Sequence, residues 1–140
     1  MDIEKEVLDM LYTNNMDIML SAICCPPDGY QSIYFAEAYG KMKVLDLRVG
    51  GVSNSYDLHE KRIHTIDFHP HNPHLVSTSS TDCMSSIWDV RNMQKRQTKS
   101  IATVRHNKAV LSAYFSPSGN YLATTRYVAG ILLALALEKK

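Results

Sequence analysis

Cysteine is scarce and poorly placed for cross-linking. Only Cys24, Cys25 and Cys83 occur in 140 residues, an odd number with two of them adjacent. No disulfide framework is expected, and reduced thiols of a cytosolic or nuclear protein are the simplest reading. Long apolar runs are missing as well. The longest, Val128 to Leu137, is ten residues, against the roughly 20 that a membrane-spanning helix needs. Its C-terminal position excludes a signal peptide, and the start, Met1-Asp2-Ile3-Glu4, has no basic segment leading into an apolar one, so no secretory address is expected. Gly-rich phosphate loop, nucleophile elbow and zinc-ligand patterns are also absent. No enzyme activity, cofactor, metal or small-molecule substrate is therefore expected, and no membrane. What remains is 45% hydrophobic and 21% charged, a globular composition that argues against disorder, collagen and coiled coil.

The near-zero net charge averages two unlike parts. Residues 1–58 hold nine acids and four bases, whereas residues 59–140 hold five acids, eleven bases and all six histidines. The second part could present a basic face to a polyanion, or simply carry solvated lysines and arginines.

Self-similarity organises the chain. Leu20 to Pro27, Ile63 to Pro70 and Val110 to Pro117 align without gaps at offsets of 43 and 47, and the first offset also carries Val44-Leu-Asp-Leu-Arg48 onto Ile87-Trp-Asp-Val-Arg91. Such a period matches the roughly 40–45 residues of a four-stranded WD-repeat propeller blade. In the middle copy Ile63, Ile66 and Phe68 mark a strand ending at the turn His69-Pro-His-Asn-Pro73. Leu75 to Ser79 is a second strand, and Ser80-Thr-Asp82 turns into a third that ends at Ile87-Trp88. Gly119 supplies permissive dihedrals to the equivalent turn of the third copy. The expected fold is all-β, a partial propeller of about two blades plus part of a third, within residues 18–125 (18–50, 59–92 and an incomplete 106–125). Since propellers need at least about four blades, 140 residues describe a piece of a larger ring, marginally stable or aggregating by itself. Residues 1–17 form a leader in which Ile3, Val7, Leu8 and Leu11 share one helical face. Residues 126–140 lose the repeat pattern and read as a divergent, non-propeller tail of good helix formers, as a spliced, shortened or mispredicted product would end.

His59, Asp82 and Trp88-Asp89 stand at the spacing of the WD-repeat signature, and the middle copy resembles that family. The resemblance implies a buried hydrogen-bonded set of His59, one of Ser77, Thr78 and Ser79, Asp82 and Trp88, with a structural role. The other copies are incomplete: Met16, Tyr39 and Leu45 replace histidine, aspartate and tryptophan in the first, and the third keeps His106 but has Ala129 and Leu135.

Two further details bear on function. The Trp88-Asp-Val-Arg91 box and its counterpart Leu45-Asp-Leu-Arg48 resemble those of substrate receptors for cullin-4 ubiquitin ligases, which implies docking of the ligase's damaged-DNA-binding adaptor subunit through Arg48 and Arg91. An arginine that merely caps a strand end explains the same box. The longer likeness runs through Leu58-His-Glu-Lys-Arg-Ile63, Asp67 to Pro70, Ser79 to Asp82, Trp88 to Arg91, His106 to Val110 and Ser112 to Gly119. These segments are similar to the damaged-DNA-binding WD-repeat family, more to its nuclear Cmr-type branch than to the small subunit of the UV-damaged-DNA-binding complex. That resemblance implies a nuclear, non-catalytic module binding damaged or modified duplex DNA. It puts Lys61, Arg62, Arg105 and Lys108 against phosphates, where they add salt-dependent affinity without reading sequence. The competing reading is a protein-interaction scaffold with no nucleic-acid role.

Among weaker features, His69, His71 and His74 lie in a proline-broken turn without a neighbouring carboxylate or thiol, and solvated loop imidazoles are expected rather than metal ligands. Cys24-Cys25 ends a strand, so alternation turns one thiol inward as a small core residue.

Overall fold

The computed structural model describes residues 19–27, 31–94 and 96–127 together with the backbone of 133–136. The expected leader helix, residues 1–17, lies outside these.

Three antiparallel sheets follow one another along the chain. The first holds β1 (Leu20–Cys24), β2 (Ser32–Glu37), β3 (Lys41–Asp46) and β4 (Gly51–Asp57) in that order. β5 (Ile63–Phe68), β6 (Leu75–Ser80), β7 (Met84–Asp89) and β8 (Ala102–Arg105) build the second, and β9 (Val110–Phe115), β10 (Tyr121–Arg126) and β11 (Leu133–Ala136) the third. Each is an up-and-down meander of antiparallel neighbours. The turns follow local chemistry. Gly40 has φ 74° at the β2–β3 turn, and Cys83, 43 positions later at the β6–β7 turn, has φ 72°. That region normally belongs to glycine.

Two expectations change. The fourth strands, β4 and β8, fall between the segments 18–50, 59–92 and 106–125 that the repeat alignment assigned to blades. The backbone order also staggers sequence against structure: the unit running from β4 to β7 gives its first strand to one sheet and its other three to the next. The covalent chain thereby staples consecutive blades. Secondly, residues 126–140 are not wholly outside the propeller. Leu133–Ala136 pairs with β10, Tyr121 opposite Ala136 and Thr124 opposite Leu133. β10 offers a free edge of N–H and C=O groups, and a backbone ladder needs no signature residue.

The sheets pack at two unlike junctions. Between the first and second, Ala36, Met42, Ile63, Ile66, Phe68, Val76 and Trp88 are buried in one apolar cluster, joined by Ala22, Cys24 and Tyr34. Tyr34 meets Phe68 edge to face at 4.9 Å. The cluster between the second and third sheets is smaller, Ile87, Ala113 and Leu122 with Leu75, Ala102 and Phe115. Polar side chains of β5 and of the turn after it add to this smaller contact. The Ala113 N–H donates to Thr65 Oγ1 at 3.1 Å and the Phe115 N–H to Asp67 Oδ2 at 2.7 Å. His69 Nε2 reaches the Gly119 carbonyl at 2.9 Å and His71 Nε2 that of Pro117 at 3.1 Å. Burial raises the Asp67 pKa, partly offset by the Phe115 N–H. At the first junction Cys24 stands 43 positions before Asp67; burial raises its thiol pKa, partly offset by the Phe68 backbone.

The histidine-rich turn is thus not simply solvated. His69 Nδ1 accepts the His71 and Asn72 N–H groups at 3.1 and 3.0 Å, so its Nε2 proton donates to Gly119. A Cβ at Gly119 would lie 2.3 Å from the imidazole, which explains a glycine there. His71 is exposed and His74 half-buried. No group of three or more metal-capable side chains occurs among the described residues.

Candidate functional site

The signature residues converge beneath one end of the second sheet. His59, on the β4–β5 loop, is 2.8 Å from Asp82 Oδ2 through Nδ1 and 2.7 Å from Thr78 Oγ1 through Nε2. The Trp88 indole N–H donates to the same hydroxyl at 2.8 Å. A carboxylate only accepts, and Thr78 has one proton. The protons therefore run Trp88 to Thr78, Thr78 to His59 Nε2, and His59 Nδ1 to Asp82. The hydroxyl left open in the sequence is that of Thr78. Burial pushes the Asp82 carboxyl up, but the hydrogen bond from His59, with the Met84 and Glu60 N–H groups, outweighs it and the net pKa is lowered.

Hydroxyl, imidazole and carboxylate in this order match the bonding of an acyl-transfer triad. Access decides against that use. Thr78 is 0% exposed, the His59 and Asp82 side chains 1% and 3%, and the hydroxyl oxygen already accepts the Trp88 indole N–H. In the third sheet His106 Nε2 stands 3.1 Å from Thr124 Oγ1, half of the same set. In the first, Phe35 and Leu45 are buried at the positions of Thr78 and Trp88, and apolar packing replaces the bonds.

Above this lock lies a rim formed by the β4–β5 loop, the β6–β7 turn and the β8–β9 loop. The Arg62 carbonyl accepts the Thr81 N–H at 3.0 Å, and the Cys83 carbonyl accepts the His106 N–H at 2.8 Å, so the turn stitches the two loops together. Lys61 and Arg62 project from one loop, Arg105 and Lys108 from the end of β8 and the other; all four are exposed, and among the described residues no ion pair engages them. Pattern reading missed Arg126 on the same rim, which donates to Asn107 Oδ1. Two acids are exposed on this side, Glu60 next to Lys61 and Asp57 at the end of β4, the latter paired with Lys41 at 3.7 Å.

Arg48 and Arg91 lie at the opposite rim, apart from those cations. The Arg91 fork grips its own Asp89, Nε to Oδ1 at 3.0 Å and Nη2 to Oδ2 at 2.7 Å, while its N–H donates to Oδ1. Arg48 repeats the arrangement on Asp46 more loosely, at 3.5 Å. The Arg91 side-chain bond holds the Asp89 pKa down; for Asp46 the Arg48 N–H is the larger cause, then its guanidinium. Both arginine side chains stay more than half exposed, 69% and 59%, so the strand-end turn and an outward-facing guanidinium coexist.

Stacked four-stranded meanders, staggered repeats and a His-Thr-Asp-Trp lock define a WD-repeat propeller module. The family model described as "WD domain, G-beta repeat" matches residues 50–89 and 98–127, its first segment coinciding with the unit from β4 to β7, and the chain belongs to that family. Within it the chain is homologous to proteins named for DNA damage binding. It is 29% identical to "DNA damage-binding protein CMR1" of Coccidioides immitis (strain RS) over 138 residues, 91% of this chain and 26% of the relative. It is 31% identical to the protein of the same name from Phaeosphaeria nodorum over 81% of this chain and 22% of the relative. "DNA damage-binding protein 2" of Danio rerio is 38% identical over 61 residues, 44% of this chain and 12% of the relative. The chain spans about a quarter of the length of the relatives it matches most fully.

Proposed function

We propose that this chain is a non-catalytic, nuclear DNA-binding module of the damage response, holding duplex DNA against the rim that carries Lys61, Arg62, Arg105 and Lys108. The observation that carries the reading is the recurrence of exposed cations, unpaired among the described residues, on consecutive blade loops stitched through one turn. The relatives' names point the same way. Phosphates release counterions when such groups bind them, so affinity falls steeply with salt. Changing Lys61, Arg62 and Lys108 to glutamate is expected to abolish retention of duplex DNA at low salt. Equal retention of parent and variant removes the proposal.

A second reading has its own support on the opposite rim. The outward guanidinium groups of Arg48 and Arg91, each held by an aspartate, suit capture of a carboxylate or carbonyl surface. Docking of the cullin-4 ligase adaptor is expected to fail in Arg91→Ala while DNA binding persists. Unchanged capture of the adaptor counts against it. A scaffold without nucleic-acid binding would keep only this second property.

A further inference from the structure

Tyrosine accompanies the cations on the basic rim twice. Tyr39 tips the β2–β3 turn and is 83% exposed, at the position that Asp82 holds in the next blade. Its turn is fixed against the basic loop: the Gly40 carbonyl accepts the Leu58 and His59 N–H groups, each at 3.1 Å. A Cβ on Gly40 would lie 1.9 Å from the His59 carbonyl oxygen and 2.9 Å from that of Lys61, so the backbone beside Tyr39 abuts the loop bearing Lys61 and Arg62. Tyr127 follows β10 on the same rim, is 63% exposed, and its N–H donates to the Ala109 carbonyl at 2.8 Å, next to Lys108.

An exposed aromatic ring on a rigid turn beside paired cations is the arrangement by which proteins take up unpaired strands: cations track phosphates while rings stack on bases. We propose that Tyr39 and Tyr127 are stacking residues and that this rim engages the exposed bases of an unpaired DNA strand. The inference rests on the charged rim of the preceding section and adds a dependence on bases that a purely cationic surface lacks. Duplex DNA hides its base faces in the helical stack, so tyrosine stacking favours single strands, gaps or locally opened sites.

The test uses the full chain and two labelled strands of about 20 nucleotides, one with thymine bases and one abasic throughout, at equal phosphate count. The parent is expected to bind the base-bearing strand at least about fivefold more tightly than the abasic one. Tyr39→Ala with Tyr127→Ala should make the two equal and leave duplex affinity within about twofold, and the paired Phe variants should keep the preference, since stacking uses the ring. Absence of a preference in the parent, its survival in the alanine pair, or its loss in the phenylalanine pair overturns the proposal. Charge reversal at Lys61, Arg62 and Lys108 reads the underlying claim separately: it should weaken both strands alike. Should it not, the cationic rim is wrong, while the thymine-to-abasic ratio still decides the tyrosines.

Discussion

Thr78 Oγ1 stands between His59 and Trp88, accepting one proton and giving one. Thr78→Val keeps the shape and removes both bonds, stranding two buried nitrogens; a loss of about 2–4 kcal/mol is expected in urea unfolding. The reverse case is Ser85, whose buried hydroxyl has no partner among the described residues. Ser85→Ala should be neutral or stabilising by up to about 1 kcal/mol in the same measurement. Away from the strand-end Asp46 and Asp89 pairs, acid should act through three groups. Asp82 has a lowered pKa, so its contribution is complete above the ordinary carboxylate range and is lost as pH falls through the depressed folded value. His64 and His106 are also lowered, each by burial first and then by Arg62 or Arg126 respectively. Their unfolded forms take up protons sooner, so stability begins to fall once pH drops below the ordinary imidazole value of 6.5. A melting temperature that stays flat from pH 7 down to pH 4 contradicts this. The tryptophan and aspartate of the lock were legible in spacing; the choice of Thr78 over Ser77 or Ser79 was not, because only strand pleat and register aim one hydroxyl at the imidazole.

Among elements, the β2–β3 turn is the tightest interlock between blades. Gly40→Ala combines a positive φ with a backbone collision, and a loss above about 2 kcal/mol is expected. Cys83, at the same turn position one blade later, carries the left-handed φ without glycine's freedom. The two junctions should also differ in rigidity. The first buries the larger apolar cluster, whereas the second relies on Thr65, Asp67 and His69 gripping the backbone around β9. Amide hydrogen exchange should therefore be slower in β5 and β6 than in β9 and β10. Equal protection would mean that the polar contacts match the apolar ones. Sequence reading placed β9 correctly but saw the histidine turn as solvated, since contacts to a loop some fifty residues away leave no local signature.

For the whole molecule, the outer surface of the third sheet matters most. Leu111, Tyr114 and Tyr121 are between 41% and 52% exposed there. Apolar side chains on an uncovered sheet promote association. Sedimentation of this chain should show mass rising with concentration, and Tyr114→Lys should reduce it. A cooperative melt of strictly monomeric protein would contradict that expectation. Charge distribution is resolved at this scale too: among the described bases of residues 59–140, Lys61, Arg62, Arg105, Lys108 and Arg126 stand on one rim and Arg91 on the opposite one.

Repeat period, the first three strands of the middle blade, the tryptophan-aspartate signature and the bias of charge were determined by the sequence alone, because each depends on spacing along the chain. Only the tertiary structure decided that β4 and β8 complete their sheets and that Leu133–Ala136 joins β10, since backbone ladders form without signature side chains. It alone decided that Thr78 supplies the hydroxyl of the buried lock, and that Tyr39, separated from Lys61 by more than twenty residues, stands on the same rim. Blade stacking sets those distances, and it brings together loops that no linear pattern links.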